Sequence, residues 1–143
     1  MVKELLKRQL APSVYAALRT LWLELSVRVA RQWRGRNDLK LHLGCGKTFK
    51  PGWINIDLWP HADLALDMRR PLPFEDGSCA LIYSEHFLEH IDYPEPVVGL
   101  LRECYRVLRP GGVFSVGVPD TEWPIAEYAG LSQMALYYIG GIL

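Results

Sequence analysis

The stretch Leu41-His42-Leu43-Gly44-Cys45-Gly46 places a short apolar strand directly before a turn that contains two glycines. Asp57 stands eleven residues after Gly46, at the end of the next predicted strand. Glycine carries no Cβ, so the backbone of such a turn can approach a ligand closely. A carboxylate at the end of the neighbouring strand can accept hydrogen bonds from the two hydroxyls of a ribose. The arrangement therefore predicts a binding site for a nucleotide-like ligand.

Predicted strands and helices alternate after this stretch. Strands are predicted at residues 39–43, 53–57, 63–67, 80–84 and 113–118. Such alternation is typical of an α/β fold with an open, mostly parallel sheet. Ligands of these sheets bind beyond the carboxyl ends of the strands. The residues that follow predicted strands and meet at that edge are Gly44–Gly46, Asp57, Asp67, Ser84 and Asp120. We expect Asp120 to cap a following helix at about residues 123–139.

One clear helix is predicted between the fourth and fifth strands, at about residues 94–109. Asp92 followed by Glu95 has the spacing of a capping box, and Pro110-Gly111-Gly112 ends the helix. The link at residues 44–53 is too short and too rich in glycine and proline for a full helix, so a loop or single turn is expected there. The predicted buried stripe of the helix is Val97, Leu101, Cys104, Tyr105 and Leu108.

Charge is unevenly distributed along the chain. The 143 residues include sixteen Lys/Arg and sixteen Asp/Glu, a net charge of zero that argues against a general nucleic-acid-binding protein. Residues 1–36 hold eight Lys/Arg and two Glu, a net charge of +6, so the remainder carries −6. We therefore divide the chain into an N-terminal amphipathic helical segment, residues 1–36, and a main domain, residues 37–143.

The N-terminal segment reads as one or two helices over residues 3–34, with a break or a helix start near Pro12. Its apolar residues at helical spacing are Leu10, Val14, Leu18, Leu21, Trp22, Leu25 and Val29. The favoured interpretation is that this face packs on the sheet. The alternatives are peripheral contact with an anionic membrane surface through the arginines, Trp22 and Trp33, or contact with a partner helix.

Three cysteines, Cys45, Cys79 and Cys104, are widely spaced and form no CxxC pair. This pattern favours a reducing compartment over a disulfide framework or a zinc ribbon. The start of the chain lacks the apolar region of a signal peptide, and no stretch of 18 apolar residues occurs. A cytoplasmic protein is expected.

Longer motifs resemble a known family. The sequences Asn55-Ile56-Asp57 and Glu89-His90 and the runs at residues 71–78 and 101–112, together with the glycine turn, resemble class I S-adenosylmethionine-dependent methyltransferases of the type 11 branch. The resemblance covers about residues 39–120, and the run from Arg106 to Gly112 is its most specific part. It implies a Rossmann-like sheet with the strand order 3-2-1-4-5 and flanking helices.

The resemblance also implies S-adenosylmethionine as the cofactor and a set of residues that bind it. These are Gly44, Cys45, Gly46, Asp57, Leu58, Asp67, Met68 and Ser84. The glycine turn would pass the methionine part of the cofactor, Asp57 would bind the ribose hydroxyls, and Asp67 would accept from the adenine amine. Ser84 would flank the methionine and face the substrate. Where the family often has an acid, this chain has His42, whose neutral imidazole could accept a hydrogen bond.

Two other interpretations of the same residues are weaker. A dinucleotide site would need glycine at position 49, which is Phe49, and an acid about twenty residues on. The run His86-Phe87-Leu88-Glu89-His90 matches an inverted zinc-protease motif, so His86 and His90 could share a zinc ion. The strand before the run and Pro94 after it favour a short structural helix instead. We assign no metal ligand, and His86 is the candidate catalytic base or substrate contact.

The family's sheet has seven strands, whereas about five are predicted here. A truncated chain is one explanation; in another, the terminal helix or a second copy in a homodimer covers the edge strand. The expected function is methyl transfer to an acceptor that the sequence does not identify, such as a small molecule, a sugar or a lipid-linked molecule. The alternative is a non-catalytic binding or assembly module.

Overall fold

A computed structural model describes residues 12–120 and residue 122. Its five strands form one parallel sheet with the order β3-β2-β1-β4-β5. The strands are β1 (Leu39–Leu43), β2 (Ile54–Asp57), β3 (Leu64–Ala65), β4 (Cys79–Glu85) and β5 (Leu108–Gly117). The predicted α/β class and strand order are confirmed.

Two α-helices and two 3₁₀ turns lie among the described residues. They are α1 (Pro12–Val29), a 3₁₀ turn (Ala30–Trp33) that continues it, a second 3₁₀ turn (Leu88–His90) after β4, and α2 (Glu95–Val107). Turns without a helix join β1 to β2, as predicted from the glycines and prolines of that link. The parts of the predictions at residues 3–11 and 123–139 lie outside the described residues.

One face of the sheet carries the hydrophobic core. Leu41, Leu43, Ile56 and Ile82 are completely buried there. The same cluster includes apolar residues of α2 and of the segment at residues 66–74, namely Leu66, Met68, Leu72, Phe74, Leu100, Cys104 and Val107. Because side chains alternate along a strand, the intervening residues must point to the opposite face.

That opposite face is polar and aromatic near its centre. Register places His42 of β1 beside Asn55 of β2 and Tyr83 of β4. The rings of His42 and Tyr83 are 5.3 Å apart, and Trp53 from the β1–β2 link approaches Tyr83 edge-on at 6.3 Å. The Lys50 ammonium lies 4.2 Å from the centre of the Tyr83 ring. Side chains of the short link therefore cover this face in place of a crossover helix.

The predicted packing face of α1 is wrong. The described members of the predicted stripe other than Trp22 are exposed, whereas Leu23 and the following Ala30 are buried. Ala30 belongs to the core cluster, and Val27 packs against that cluster. Apolar residues occur on most sides of α1. The prediction from spacing therefore took the side with more large apolar residues, whereas the side that is buried is the one with Leu23, Val27 and Ala30.

The predicted face and start of α2 are also corrected. Cys104 is buried as predicted, but Leu101 and Tyr105 are exposed. The other buried residues of the helix are Leu100 and Val107, so the buried face is rotated about the axis. Glu95 begins the helix after Pro94, which provides no side-chain cap. The carbonyl of Asp92 accepts from the Val97 N–H at 3.2 Å, so Asp92 contributes its backbone and not its side chain.

β5 begins earlier than predicted. It follows α2 without a loop, because Leu108 already pairs with Cys79 of β4. A register shift accommodates Arg109-Pro110-Gly111-Gly112 before regular pairing resumes at Val113. Gly111 has φ +77° at this shift, but it lies within β5 and does not cap α2, whose C-cap residue is Leu108. β5 is one edge of the sheet within the described residues.

Within the described residues, no helix has the length and apolarity needed to cross a bilayer. Cys45, Cys79 and Cys104 are buried free thiols.

Candidate functional site

The turn after β1 lies at the carboxyl edge of the sheet, as predicted. The N–H groups of Gly44 and Cys45 both donate to the carbonyl of Ile56, at 2.9 and 3.2 Å, so the turn is fastened to β2. Gly44 has φ +67°, and a Cβ at this position would overlap the ring of Phe87. Position 44 therefore requires glycine for two reasons: its φ is positive, and Phe87 leaves no room for a Cβ.

Asp57 is joined directly to that turn. The N–H of Gly46 donates to Oδ2 of Asp57 at 2.9 Å, and the N–H of Trp59 donates to Oδ1 at 3.1 Å. Each bond uses part of the acceptor capacity of one carboxylate oxygen. The half-buried carboxylate is thus fixed in orientation and can still accept from further donors, which suits a pair of adjacent hydroxyls.

Asp67 lies in a different local arrangement. Its carboxylate accepts from Nε and Nη2 of Arg69, at 2.9 and 2.7 Å, and from the Arg69 backbone N–H. A planar fork of this kind gives good geometry, but the Arg69 side chain is 51% exposed, so water weakens the ion pair. Met68 between them is buried. The predicted adenine contact of Asp67 stays a prediction, and Arg69 shares that carboxylate.

A buried polar network supports the site, and its centre, Asn55, was not predicted to have a role. The Asn55 amide nitrogen donates to Asp63 Oδ2 at 2.7 Å, which fixes the amide oxygen as the atom facing His42 Nδ1 at 3.1 Å. That oxygen also accepts from the Lys50 N–H at 2.9 Å. The sequence feature that could have indicated this role is the position of Asn55, a polar residue between two buried isoleucines.

The network determines which ring nitrogen of His42 carries the proton. An amide oxygen can only accept, so Nδ1 of His42 carries the proton. Burial of the imidazole lowers the pKa of His42 below its ordinary value of 6.5, although the bond to Asn55 acts in the opposite direction. His42 is 4% exposed and lies against Tyr83. The predicted role of His42 as an acceptor for a ligand amine would depend on Nε2 alone.

Cys45, predicted to contact the cofactor, is a poor nucleophile here. Burial raises the pKa of its thiol to about 11, and the carboxylates of Asp57 and Asp63 act in the same direction. The thiol is therefore neutral at physiological pH. Leu58, also predicted at the site, is partly buried beside Asp57.

Ser84 and His86 occupy the end of β4. Ser84 is completely buried, and among the described residues its hydroxyl is the only buried side-chain polar atom without a hydrogen-bond partner. His86 has φ +51°, and its N–H donates to the carbonyl of Gly117 at 3.0 Å. A non-glycine residue with positive φ is uncommon and is found at functional sites. The imidazole of His86 is 66% exposed, which leaves it accessible to a substrate.

The zinc alternative gains no support in the part of the chain that is described. His86 Nδ1 lies 3.7 Å from Glu89 Oε1, but no group of three or more metal-binding side chains occurs among these residues.

At the other end of the described chain, Oδ1 of Asp120 accepts from the Glu122 N–H at 2.9 Å, the local contact expected of a capping residue.

Comparison with known proteins agrees with this geometry. A family model described as "Methyltransferase domain" matches residues 41–116. An "Uncharacterized 37.1 kDa protein in transposon TN4556" of Streptomyces fradiae is 33% identical over 78 residues, 54% of this chain and 22% of that protein. A "Probable S-adenosylmethionine-dependent methyltransferase" of Mycolicibacterium smegmatis is 36% identical over 62 residues, 43% of this chain and 23% of that protein. The matches thus span less than a quarter of each relative.

Proposed function

This chain belongs to the methyltransferase domain family, and on that premise we propose that it binds S-adenosylmethionine at the carboxyl edge of β1, β2 and β4 and transfers the methyl group to an acceptor. The observation that carries the proposal is the carboxylate of Asp57, held by the N–H of Gly46 at 2.9 Å. This bond holds the acidic residue beside the glycine turn, which supports the proposal that the two form one binding site.

The residues present fit the proposed cofactor. The ribose of S-adenosylmethionine offers two adjacent hydroxyl donors, and Asp57 offers two carboxylate oxygens with acceptor capacity left. The Gly44–Gly46 turn presents backbone without side-chain bulk. The partnerless hydroxyl of Ser84, at the end of β4, supports the presence of a polar ligand group nearby.

When bound, S-adenosylmethionine supplies a methyl group on a positively charged sulfur, which is already a strong electrophile. The protein then has to align the acceptor with that methyl group and exclude competing water. His86 is the proposed base or substrate contact, because its exposed imidazole follows β4 directly and its backbone is fixed to Gly117. The proposed acceptor is a small molecule, a sugar or a lipid-linked molecule.

Titration calorimetry of the purified chain with S-adenosylmethionine and S-adenosylhomocysteine tests the cofactor site. We expect binding of both, and we expect Asp57→Ala to weaken it by about 1.5–3 kcal/mol, the scale of hydrogen bonds to a charged group. Asp38→Ala is the matched control, because Asp38 is an exposed carboxylate that precedes β1 and pairs with Arg36. Absence of binding at millimolar cofactor, or equal affinity of the Asp57 variant and wild type, would refute the site.

Transfer of a labelled methyl group to fractionated small molecules, sugars and lipids tests catalysis separately. His86→Gln should retain cofactor binding and lose most transfer, whereas the neighbouring exposed His90→Gln should keep both. Cofactor binding without transfer to any fraction would favour the alternative, a binding or assembly module.

A further inference from the structure

α1 carries an apolar stripe that does not contribute to the core. Its five members are between 44% and 53% exposed; they are Val14, Leu18, Leu21, Leu25 and Val29. Their spacing of three and four residues places them along one side of an α-helix. A continuous exposed stripe of large aliphatic side chains is the kind of surface that binds another molecule, unlike scattered single residues.

The other side of α1 attaches the helix to the domain. Leu23 is 8% exposed, and Val27 packs against the core cluster. Each lies two positions after a stripe residue, Leu21 or Leu25, which is about 200° around the helix axis. Attachment through Leu23 and Val27 therefore directs the stripe away from the domain.

Positive charge accompanies the stripe. Residues 1–36 contain eight Lys/Arg against two Glu. In the described part of this segment, Arg28, Arg31 and Arg34 are exposed at and just after the end of α1. Trp22, next to Leu21, is partly buried and has the apolar body and polar N–H that suit the boundary between water and an apolar phase.

The charge decides between two occupants of the stripe. A second copy of the chain would bring two segments of like charge together, which costs electrostatic free energy. An anionic lipid surface can bind both the apolar stripe and the positive charge, because aliphatic side chains enter the acyl boundary while arginines contact the headgroups. We propose that α1 lies flat on an anionic lipid surface, with the stripe Val14, Leu18, Leu21, Leu25 and Val29 toward the acyl chains.

Vesicle co-sedimentation of the full chain tests this proposal. We expect the protein to sediment with vesicles of phosphatidylcholine and phosphatidylserine, weakly with phosphatidylcholine alone, and less as salt concentration rises. Leu21→Glu should lower partition onto the anionic vesicles about tenfold or more, because it removes an exposed leucine that would enter the acyl boundary and adds a charge that the anionic headgroups repel. Thr20→Glu is the matched control, because it adds the same charge to an exposed position off the stripe. This variant should bind the anionic vesicles far better than Leu21→Glu.

A second variant separates the charge from the apolar stripe. Arg28→Gln with Arg31→Gln should weaken binding to the anionic vesicles and reduce its dependence on salt, while circular dichroism stays that of the wild type. The proposal is overturned if wild type does not bind the anionic vesicles, or if Thr20→Glu and Leu21→Glu lose binding equally. It is also overturned if sedimentation velocity without lipid shows a dimer that Leu21→Glu dissociates, because a second copy would then occupy the stripe.

Discussion

The N–H of Gly46 donates to Oδ2 of Asp57 across 2.9 Å, from the turn after β1 to the last residue of β2. This single contact gives Asp57 a structural task in addition to its proposed binding task. The Trp59 N–H bonds the other carboxylate oxygen, so both oxygens help to order the backbone at the edge of the sheet.

Asp57→Asn should therefore destabilise the protein without any ligand present. The amide has one acceptor oxygen, so its NH₂ group must face one of the two backbone N–H donors. We expect a loss of about 1–3 kcal/mol in the free energy of unfolding, measured by urea denaturation. Asp38→Asn, at an exposed ion pair, should change it by less than about 1 kcal/mol. Equal stability of the Asp57 variant and wild type would show that the two N–H bonds contribute little.

Gly44→Ala should be among the most damaging small substitutions at the site. The left-handed conformation costs a residue with a Cβ about 1–2 kcal/mol, and overlap with Phe87 adds about 1–3 kcal/mol. Gly46→Ala is the matched control, because Gly46 has φ +52° but open space where its Cβ would lie, so only the first cost applies. In a double-mutant cycle, Phe87→Gly should remove the overlap, because both the ring and the Cβ of Phe87 lie within 2.6 Å of the added Cβ, and should make the combined loss smaller than the sum of the two single losses. Additive losses would show that Phe87 can move aside freely.

The approximate number of strands and the helix between β4 and β5 could be predicted because glycine turns and apolar runs are local signals, whereas the strand order was implied by the resemblance to the methyltransferase family. The packing faces of α1 and α2 could not. Both helices have apolar residues on more than one side, and only tertiary contact determines which side the sheet covers. The early start of β5 was missed for a related reason. The expectation that Pro110-Gly111-Gly112 ends α2 was wrong, because α2 ends at Val107 and the pairing of Leu108 with Cys79 extends the strand through those residues.

At the site, the glycine turn and Asp57 could be recognised from spacing, and the structure brings them into direct contact. Asn55 was missed, since a single asparagine in a strand has no pattern. The five hydrogen bonds of its side chain join residues from three parts of the chain. The bidentate bond from Arg69 to Asp67 was also not predicted, because it depends on side-chain geometry and not on sequence spacing.

His42 should make stability fall on mild acidification. The folded state lowers the pKa of this histidine, so the unfolded chain takes up the proton first as pH falls through about 6.5. The contribution of His42 is fully present above that pH and is lost progressively below it, until the lowered pKa of the folded state is reached. Denaturation midpoints between about pH 7 and 5 should therefore decline, and His42→Gln should decline less steeply. A steeper decline in the variant would contradict this sign.

Arg106→Lys should be strongly destabilising although it keeps the charge. The Arg106 guanidinium donates two bonds to Glu103 and one each to Asp76 and to the carbonyls of Leu72 and Phe74, and so fastens α2 to the segment before β4. Lysine has one nitrogen and cannot reproduce this fork, so a loss of about 1.5–3 kcal/mol is expected in urea denaturation.

Arg109→Lys is the matched control for this substitution. Arg109 is exposed and donates one long bond of 3.5 Å to the Asn37 carbonyl, so this substitution should change stability by less than about 0.5 kcal/mol. The bond from Arg106 lowers the pKa of Glu103 below its ordinary value of 4.5, so the ion pair stabilises the fold above that pH and is lost as pH falls through the lowered value. The difference between wild type and Arg106→Lys should therefore shrink in that acidic range. A difference that is constant with pH would assign the loss to the two carbonyl bonds alone.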